Sequence, residues 1–463
     1  MTPVILSTDA LLFLLLAGVA AFVWHARRHE HLRRPWRHVA RSNIGMATAV
    51  ILLAYVSLGV LDSMHFESRG GMASDDIISL FDVVASDLRE RQEKTYSAPF
   101  SAWLYTKETL ELPDGRVARG YPRLKWGGAS LDDPLTERAA DIVWRALLGL
   151  LLALVLSAVV YLPLAWSRGR RQRVAVPAML RGFFIERRGE TAWPAFNITL
   201  VVLVLCGFVM ASLAGEYHLF GTDKVGEDVF YQALKSIRTG LLIGTLTTLV
   251  MLPAALFLGI LAGYFRGWVD DLVQYLYTTL SSIPGVLLIA AAILMLQVYM
   301  SEHAEEFNSL VQRADLRLLF LCVILGITSW TTLCRLLRGE TLKLRELEYV
   351  QAAQAFGVRG LTIISRHILP NTMHIVLISI VLDFSGLVLA EAVLAYVNIG
   401  VDPTMNSWGN MINSARLELA REPIVWWSLA AAFVFMFVLV LAANLFADVV
   451  RDAFDPRLGR GRG

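Results

Sequence analysis

Residues 348–371 read EYVQAAQAFGVRGLTIISRHILPN and lie between two long apolar runs, Leu318–Cys334 and Met373–Val397. The stretch predicts a helix from Leu344 to Phe356. Small side chains give this helix a low-profile surface onto which another protein can dock closely. They belong to Ala352, Ala353 and Ala355.

The second half of the stretch predicts a turn followed by a shorter helix. Gly357 can adopt the left-handed backbone conformation that ends a helix. A helix is then expected from Leu361 to His367, and Pro370 stops it, because proline lacks the N–H and clashes with the preceding turn. The whole stretch therefore predicts a helix–turn–helix that lies against the membrane.

The composition around this stretch is that of a membrane protein. The chain has 463 residues, of which 56% are apolar and 18% charged. Soluble domains contain roughly 45–50% apolar and about 25% charged residues. The net charge is only +2. This excludes a disordered chain and a strongly basic nucleic-acid-binding protein, and it indicates an all-α polytopic membrane protein.

The apolar runs predict nine membrane spans, because about 20 mostly apolar residues are needed to cross a bilayer. The runs are Leu11–Trp24, Ile44–Leu61, Ile142–Trp166, Phe196–Ala214, Leu241–Tyr264, Ile283–Met300, Leu318–Cys334, Met373–Val397 and Ile424–Val450. The first is the shortest. Asp9 precedes it and the arginines follow it, which is typical of an uncleaved anchor; a cleaved signal peptide has its basic residues ahead of the apolar core.

Basic residues follow the first, third, seventh and ninth runs. They are Arg27, Arg28, Arg33, Arg34, Arg37 and Arg41; Arg168, Arg170, Arg171, Arg173, Arg181, Arg187 and Arg188; Arg335, Arg338, Lys343 and Arg345; and Arg451, Arg457, Arg460 and Arg462. Lys and Arg accumulate in cytoplasmic loops. The sequence therefore predicts a multi-pass protein of the bacterial cytoplasmic (inner) membrane, with its N-terminus outside and its C-terminus inside. The acidic residues 62–141 then lie outside, as does the loop containing Glu305 and Glu306.

The 62–141 segment is too long for a plain connection. Apolar residues from Ile77 to Leu88 recur at helical spacing, and Pro113-Asp114-Gly115 is typical of a tight turn between two extended pieces. We expect a small folded α/β insert, although a loosely packed loop stays an alternative. Its place between two spans also makes it a candidate platform, or lid, at the outer mouth of a transport pathway.

Patterns that carry catalytic chemistry are missing from the sequence. No G-x-x-x-x-G-K-[ST], HExxH, GxSxG or CxxC occurs, so we expect no catalytic residues, no ATP hydrolysis by this chain and no thiolate metal site. His25 and His29 are four residues apart, a spacing that can suit a metal on a helix. Among so many arginines, a basic membrane-surface segment is favoured, and no metal site is predicted.

The 348–371 stretch resembles the EAA loop of ABC importer permeases. That pattern has E-A-A, a glycine after three residues, and I-x-L-P nine residues further on. Five positions match it: Ala352, Ala353, Gly357, Leu369 and Pro370. Gln351 replaces the glutamate, for which Glu348, one turn earlier, is the candidate substitute. His367 stands at the isoleucine position, and His-x-L-P-N is the form found in the peptide and nickel importer branch.

A second motif supports the same resemblance. Gly221, Thr222, Asp223, Gly226 and Asp228 are similar to the G-T-D-x-x-G-R-D motif of that branch, with Glu227 in place of the arginine. Asp223 is expected to cap the helix that follows. Further matching pieces include Ser407-Trp408-Gly409, and in their order they cover most of residues 194–458.

The resemblance implies the second, C-type permease subunit of dipeptide, oligopeptide and nickel importers. Its expected partners are a second permease subunit, two cytoplasmic ABC ATPases that bind ATP and Mg, an extracytoplasmic solute-binding protein and the lipid bilayer, with no nucleic acid. This chain itself would bind no cofactor. The implied six-helix permease core (residues 194–458) follows three regions: N-terminal spans (1–61), the insert (62–141), and an extra span with a basic linker (142–193). About three N-terminal spans are thus extra to the core.

Two acidic residues within the eighth apolar run are candidates for lining a transport pathway. Asp383 and Glu391 would lie at membrane depth, where ionisable groups are costly and usually face a pathway or a partner. They leave open a proton-coupled secondary transporter, and a membrane-embedded enzyme is a further alternative. The missing catalytic patterns argue against the enzyme, and the 348–371 stretch argues against the secondary transporter.

Overall fold

The computed structural model describes residues 2–67, 77–111, 117–186, 191–303 and 309–454. Within these ranges, nine helices are long and apolar enough to cross a membrane, and each coincides with one of the apolar runs. The predicted all-α polytopic membrane fold class is confirmed. The turn at Pro113-Asp114-Gly115 lies outside the described residues, as do Arg187, Arg188, Glu305, Glu306 and the tail from Asp455.

Within the described ranges, helices follow one another from Ser7 to Phe454, and the strands lie in the first 120 residues. The helices are α1 (Ser7–Arg28), α2 (Glu30–Arg41), α3 (Asn43–Asp62), α4 (Leu80–Val84), α5 (Ser86–Glu90), α6 (Pro134–Gln172), α7 (Val176–Phe184), α8 (Trp193–Ala214), α9 (Val229–Phe265), α10 (Trp268–Ser282), α11 (Gly285–Glu302), α12 (Leu310–Arg345), α13 (Glu348–Ala355), α14 (Gly360–Ile363), α15 (Leu369–Tyr396), α16 (Trp408–Glu418) and α17 (Trp427–Phe454). The strands are β1 (Thr2–Val4), β2 (His65–Glu67), β3 (Ile77–Ser79), β4 (Glu108–Glu111) and β5 (Val117–Gly120).

The described chain divides into two compact units, and the first comprises Met1–Val4, Arg37–Thr239 and Asn406–Ala442. Helix α6 packs along α8. A side chain at Gly149 of α6 would meet the backbone of Val209 in α8 at 2.8 Å, so the glycine allows the two helices to approach closely. The sheet in this unit is antiparallel with strand order β1-β2-β3.

The connection between α3 and α6, residues 63–133, is folded where it is described and is called the connecting segment below. It contains α4, α5 and the antiparallel pair β4–β5, which flanks the predicted tight turn. Ser79 and Asp82 form a reciprocal capping box at the start of α4. The α/β insert is therefore present, and the domain boundaries proposed from the sequence stay predictions.

The second unit comprises Ile5–Trp36, Gly240–Met405 and Ala443–Gly463. Helix α1 packs against α12, and both the backbone N–H and the hydroxyl of Thr8 donate to the carboxylate of Asp315. Helices α9 and α12 approach closely at Gly263, where an added Cβ would meet the Thr341 side chain at 2.6 Å. The C-terminal part of α9 packs on α12 in this way, and its residues Ile260 and Tyr264 also pack against Val350 of the 348–371 stretch.

Candidate functional site

The 348–371 stretch begins with a break that the sequence did not predict. Instead of one helix from Leu344 to Phe356, α12 ends at Arg345 and α13 starts at Glu348. The intervening Leu347 is extended, with φ −74° and ψ 141°. The change of direction buries Val350 in an apolar cluster, and this burial favours the broken arrangement over a continuous helix. The cluster also contains Ile260, Tyr264, Ile363 and Ile368.

Gly357 ends α13 as predicted, in the left-handed conformation with φ +74°. The N–H of Gly357 donates to the Gln354 carbonyl at 3.0 Å, and that of Val358 to the Ala353 carbonyl at 3.1 Å. This pair of bonds is a Schellman cap. Among the residues that the structure describes, no atom lies within 4 Å of an added Cβ at Gly357, so glycine is needed there for its backbone conformation and not for space.

The prediction that Pro370 stops the second helix is wrong. A π-helical turn at Ile364–Ile368 joins α14 directly to α15, whose first turn contains Pro370. The N–H of Leu369 donates to the Ile364 carbonyl, five residues back. Proline removes one bond of the helical ladder, and Pro370 lies directly after the π-helical turn, where the α-helical bonding pattern already changes. The second half of the stretch is consequently continuous with a membrane-spanning helix.

The exposed surface of the stretch lies opposite the buried cluster and carries large apolar side chains among polar ones. Phe356 is 87% exposed, and Tyr349 and Leu361, on either side of it in sequence, are also exposed. Ala352 faces outward, whereas Ala353 is half-buried against the cluster. Of the two matching alanines, Ala352 therefore belongs to the free face and Ala353 to the packing beneath it.

Three cationic side chains fasten α12 and the turn after it to neighbouring helices, just ahead of the stretch. Arg338 of α12 donates two hydrogen bonds to the Asp270 carboxylate of α10, at 2.5 and 2.7 Å. These bonds, which outweigh the effect of burial, lower the pKa of Asp270. Arg345 donates to the Tyr264 carbonyl at 2.9 Å, and Arg266 pairs with Glu346. These bonds hold α12 and the residues just ahead of α13 to α9 and α10.

A second group of candidate residues, Gly221–Asp228, forms one tight loop ahead of α9. Gly221 and Gly226 have positive φ angles of 64° and 80°. A Cβ at Gly221 would overlap the Ser97 carbonyl oxygen, and one at Gly226 would overlap that of Glu93. Both glycines are therefore required for conformation and for the close approach of the connecting segment.

Thr222 ties this loop to the connecting segment through both its backbone and its side chain. Its hydroxyl donates to the Thr95 carbonyl at 2.8 Å and accepts from the Ser97 N–H at 2.7 Å. Its own N–H donates to the Ser97 carbonyl at 3.1 Å. The Thr222 carbonyl accepts from the indole N–H of Trp427 at 2.9 Å. The threonine is fully buried, so this is a fixed joint and not a surface contact.

The residue that caps α9 is Asp228 and not, as predicted, Asp223. The Asp228 carboxylate accepts from the Tyr231 N–H at 3.0 Å. Asp223 instead closes the loop itself, because its carboxylate accepts from the N–H groups of Val225 and Glu227, both at 2.9 Å. Burial raises the pKa of Asp223.

His218 lies just ahead of the loop, and its buried imidazole is close to two buried carboxylates. Its Nδ1 lies 2.6 Å from Asp228 Oδ2, and its Nε2 lies 3.6 Å from Glu93 Oε1, an ion-pair distance. Burial alone would lower the pKa of His218, but the hydrogen bond to Asp228 and the nearby Glu93 carboxylate outweigh it and raise the pKa to about 9. The imidazole is therefore charged at neutral pH.

Glu93 is held in place by the connecting segment. Its carboxylate accepts from three successive backbone N–H groups, those of Lys125, Trp126 and Gly127, at 2.9, 2.7 and 3.3 Å. Burial opposes ionisation, yet these bonds and His218 leave the pKa of Glu93 lowered. The charged histidine thus lies between a carboxylate of the loop and one of the connecting segment.

A second ion pair links the connecting segment to α9. Lys235 donates to Asp82 Oδ1 at 2.5 Å, and the Tyr231 hydroxyl donates to the same oxygen at 2.6 Å. Burial would raise the pKa of Asp82, but the Lys235 charge and these hydrogen bonds lower it to about 2.

Sequence reasoning missed Asp82, Glu93 and His218, because they contact residues that are distant in sequence. The one available signal was that His218 lies three residues before the Gly221–Asp228 motif.

Asp383 and Glu391, the pathway candidates, both lie on α15 and are not brought together. Eight residues separate them, about 12 Å along a helix axis. Asp383 is half-buried, and Glu391 is buried. No group of three or more His, Cys, Asp or Glu side chains in the described ranges is arranged to hold a metal ion.

Comparison with known proteins identifies the family. Residues 255–460 match the family described as "Binding-protein-dependent transport system inner membrane component". The chain is 32% identical over 308 residues to a glutathione transport system permease protein of Pectobacterium atrosepticum, covering 63% of this chain and 90% of that protein. The chain belongs to this family. The permease is also 29% identical over 243 residues to a dipeptide transport system permease protein of Bacillus subtilis, covering 52% of this chain and 70% of that protein.

An oligopeptide transport system permease protein of Mycobacterium bovis is 31% identical over 242 residues, which cover 52% of the permease and 77% of the relative. These relatives confirm the predicted membership of the peptide and nickel branch and its C-type permease subunits. The chain is a multi-pass transmembrane permease subunit of an ABC importer, as the 348–371 stretch predicted, and belongs to a transport system with other components.

Proposed function

We propose that the permease imports peptides or related small solutes such as glutathione across the bacterial cytoplasmic membrane, as one half of a heterodimeric permease. The substrate class is carried over from the relatives, which are named for glutathione, dipeptides and oligopeptides. A second permease subunit completes the pathway. Substrate would be delivered by an extracytoplasmic solute-binding protein.

The exposed face of the 348–371 stretch is the proposed docking site for a cytoplasmic ATPase. The single observation that carries this proposal is the exposed Phe356 at the end of a helix whose other face is buried. Large exposed apolar groups beside a rigid support are typical of interaction sites. ATP and Mg bind to two separate ATPase subunits, since this chain has no phosphate-binding motif.

Coupling then needs no chemistry from the permease. Closure of the ATPases moves α13. Its packing against α9 and α12, and the bonds from α12 to α10, carry the motion into the spans. The continuous π-helical junction carries it into α15 as well. The spans would switch between inward- and outward-facing states, a two-state equilibrium biased by nucleotide at one end and by the loaded binding protein at the other.

The proposed topology has the N-terminus and the connecting segment outside, and the 348–371 stretch and the C-terminus inside. Two contacts support it. Strand β1 pairs with β2, so the N-terminus lies on the same side as the connecting segment. The Ala192 N–H donates to the Ala40 carbonyl at 2.8 Å, and this contact between the end of α2 and the start of α8 supports putting both connections on one side of the membrane.

The connecting segment is the proposed outer platform for the solute-binding protein. Thr222, Gly226 and His218 fix it to the loop ahead of α9, which argues for a fixed platform and against a mobile lid. Among the family-motif residues, Gly221, Thr222, Gly226 and Asp228 thus hold the platform, and Asp223 shapes the loop. Asp383 and Glu391 remain the proposed pathway residues.

The docking proposal is tested by Phe356→Asp in the reconstituted transporter. We expect the ATPase subunits to dissociate from the variant during purification and ATP-dependent uptake to fall more than about tenfold, because a buried hot-spot aromatic contributes roughly 2 kcal/mol or more. Leu417→Asp is the matched control, since Leu417 is a 65% exposed apolar residue on the short helix α16. Normal uptake and co-purification by a well-folded Phe356→Asp variant would refute the docking site.

A further inference from the structure

A groove of about 260 Å³ lies where α1 gives way to α2. Its walls are the apolar side chains of Phe22, Val23 and Trp36 and the two basic side chains of Arg27 and Arg33. Neither the ABC importer family nor the coupling geometry accounts for this combination of an apolar trough with two cations.

The two groove arginines differ from the arginines next to them in sequence. Arg28 stacks on the Trp24 ring at 3.7 Å, and Arg34 pairs with Glu30 at 3.4 Å. In the part of the chain that the structure describes, the guanidinium groups of Arg27 and Arg33 have no hydrogen bond or ion pair. Two uncompensated positive charges therefore belong to the arginines that border the groove.

The position along α1 places the charge of Arg27 at the depth of lipid headgroups. The apolar run ends at Trp24, and Arg27 follows about 4.5 Å further along the helix axis. Phe22 and Val23 lie on the acyl-chain side of this boundary and are both about 40% exposed. The groove thus presents apolar surface below the headgroup level and the Arg27 cation at it.

The wall of the groove that Trp36 forms is held in place by packing and does not collapse into the groove. Trp36 packs edge-on against Phe454 at the end of α17, with ring centroids 5.8 Å apart. Helix α2 carries Arg and His around this aromatic, a composition typical of helices that lie in the membrane interface. A preformed apolar trough lowers the ordering cost of the ligand that fills it.

We propose that this groove binds one anionic phospholipid, with an acyl chain along Phe22, Val23 and Trp36 and the phosphate between Arg27 and Arg33. Guanidinium groups are suited to phosphate because they donate two parallel hydrogen bonds. Basic pockets beside membrane-spanning helices favour anionic headgroups over zwitterionic ones. The ligand class is a diacyl phospholipid with net negative charge.

The test titrates dioleoyl phosphatidylglycerol into the full-length permease in neutral detergent and counts bound lipid by native mass spectrometry. Dioleoyl phosphatidylcholine tests the charge requirement, and glycerol 3-phosphate tests whether the headgroup suffices without its chains. We expect one phosphatidylglycerol to bind at least about tenfold more tightly than phosphatidylcholine. Equal binding of both lipids, or equal binding of glycerol 3-phosphate, overturns the proposal.

Variants locate the lipid in the groove. Arg27→Gln/Arg33→Gln should weaken phosphatidylglycerol binding roughly tenfold. Arg28→Gln/Arg34→Gln removes the same charge from the same region. It should weaken phosphatidylglycerol binding less than about threefold, because those arginines have other partners. Val23→Trp fills the trough while keeping both charges, and should also release the lipid.

Equal weakening by the two double variants would assign the binding to diffuse surface charge and refute the site. Unchanged binding in Val23→Trp would refute the acyl trough. Gel filtration of each variant shows whether it is folded. If the groove double variant fails that control, the single variants Arg27→Gln and Arg33→Gln replace it with the same expected direction.

Discussion

His218 Nδ1 lies 2.6 Å from Asp228 Oδ2, while its Nε2 faces Glu93 of the connecting segment at 3.6 Å. The charged imidazole therefore joins the loop ahead of α9 to a segment more than a hundred residues earlier in the chain. Because all three groups are buried, removing one leaves the others uncompensated, which is costly.

The first prediction is that this link makes stability pH-dependent on the alkaline side. The pKa of His218 is raised to about 9, above the unfolded value of about 6.5. Its stabilising contribution is therefore complete below pH 6.5 and is lost as the pH rises through 9. We expect the permease to lose on the order of 2–3 kcal/mol of unfolding free energy between pH 7 and 9.5.

His218→Asn should be less stable than the unmodified chain at pH 7. It should also lose much less unfolding free energy between pH 7 and 9.5, as measured by thermal unfolding in detergent. His25→Asn is the control, since His25 is exposed and its replacement should not alter the profile. A profile of His218→Asn with the same alkaline loss as the unmodified chain would contradict the assignment.

A second prediction concerns Gly226, whose added Cβ would overlap the Glu93 carbonyl oxygen and whose φ is +80°. Gly226→Ala should cost about 2–4 kcal/mol and detach the connecting segment. Limited proteolysis of the detergent-solubilised permease should then cut between residues 77 and 133. Gly207→Ala in α8 has no atom within 4 Å of its Cβ and should leave the digestion pattern unchanged. Resistance of Gly226→Ala to cleavage would argue against the joint.

Topology gives a third prediction. In a background lacking Cys206, Cys322 and Cys334, Thr109→Cys should react with an impermeant maleimide on cells with a permeable outer membrane, whereas Arg171→Cys should not. Both positions are exposed, so accessibility within the protein is matched. Labelling in the reverse pattern would place the connecting segment in the cytoplasm and exclude it as a binding-protein platform.

The spans could be predicted from sequence because about 20 consecutive apolar residues have few alternatives to crossing a bilayer. Gly357 could be predicted too, because a left-handed helix end is a local requirement. The break at Leu347 and the π-helical entry to α15 could not, since burial of Val350 and the first-turn position of Pro370 depend on tertiary packing. Glu93 was missed for a related reason: its partner His218 is 125 residues away.

The fourth prediction separates backbone conformation from side-chain size at Gly357. Its φ is +74° and no atom lies within 4 Å of an added Cβ, so any side chain has room. Asparagine accepts the left-handed conformation, whereas valine is branched at Cβ and resists it. We therefore expect Gly357→Asn to retain at least about half of ATP-dependent uptake, and Gly357→Val to lose it while still inserting into the membrane.

Uptake is measured in proteoliposomes with equal amounts of inserted permease, and ATPase co-purification is scored in parallel. If the Schellman cap positions the docking face, Gly357→Val should lose both co-purification and uptake, because Phe356 immediately precedes the glycine and shifts with it. Normal uptake by Gly357→Val would show that the cap does not position the docking face. Equal loss in both variants would mean that the surface around residue 357 cannot tolerate any side chain, so that docking, and not helix termination, requires the glycine.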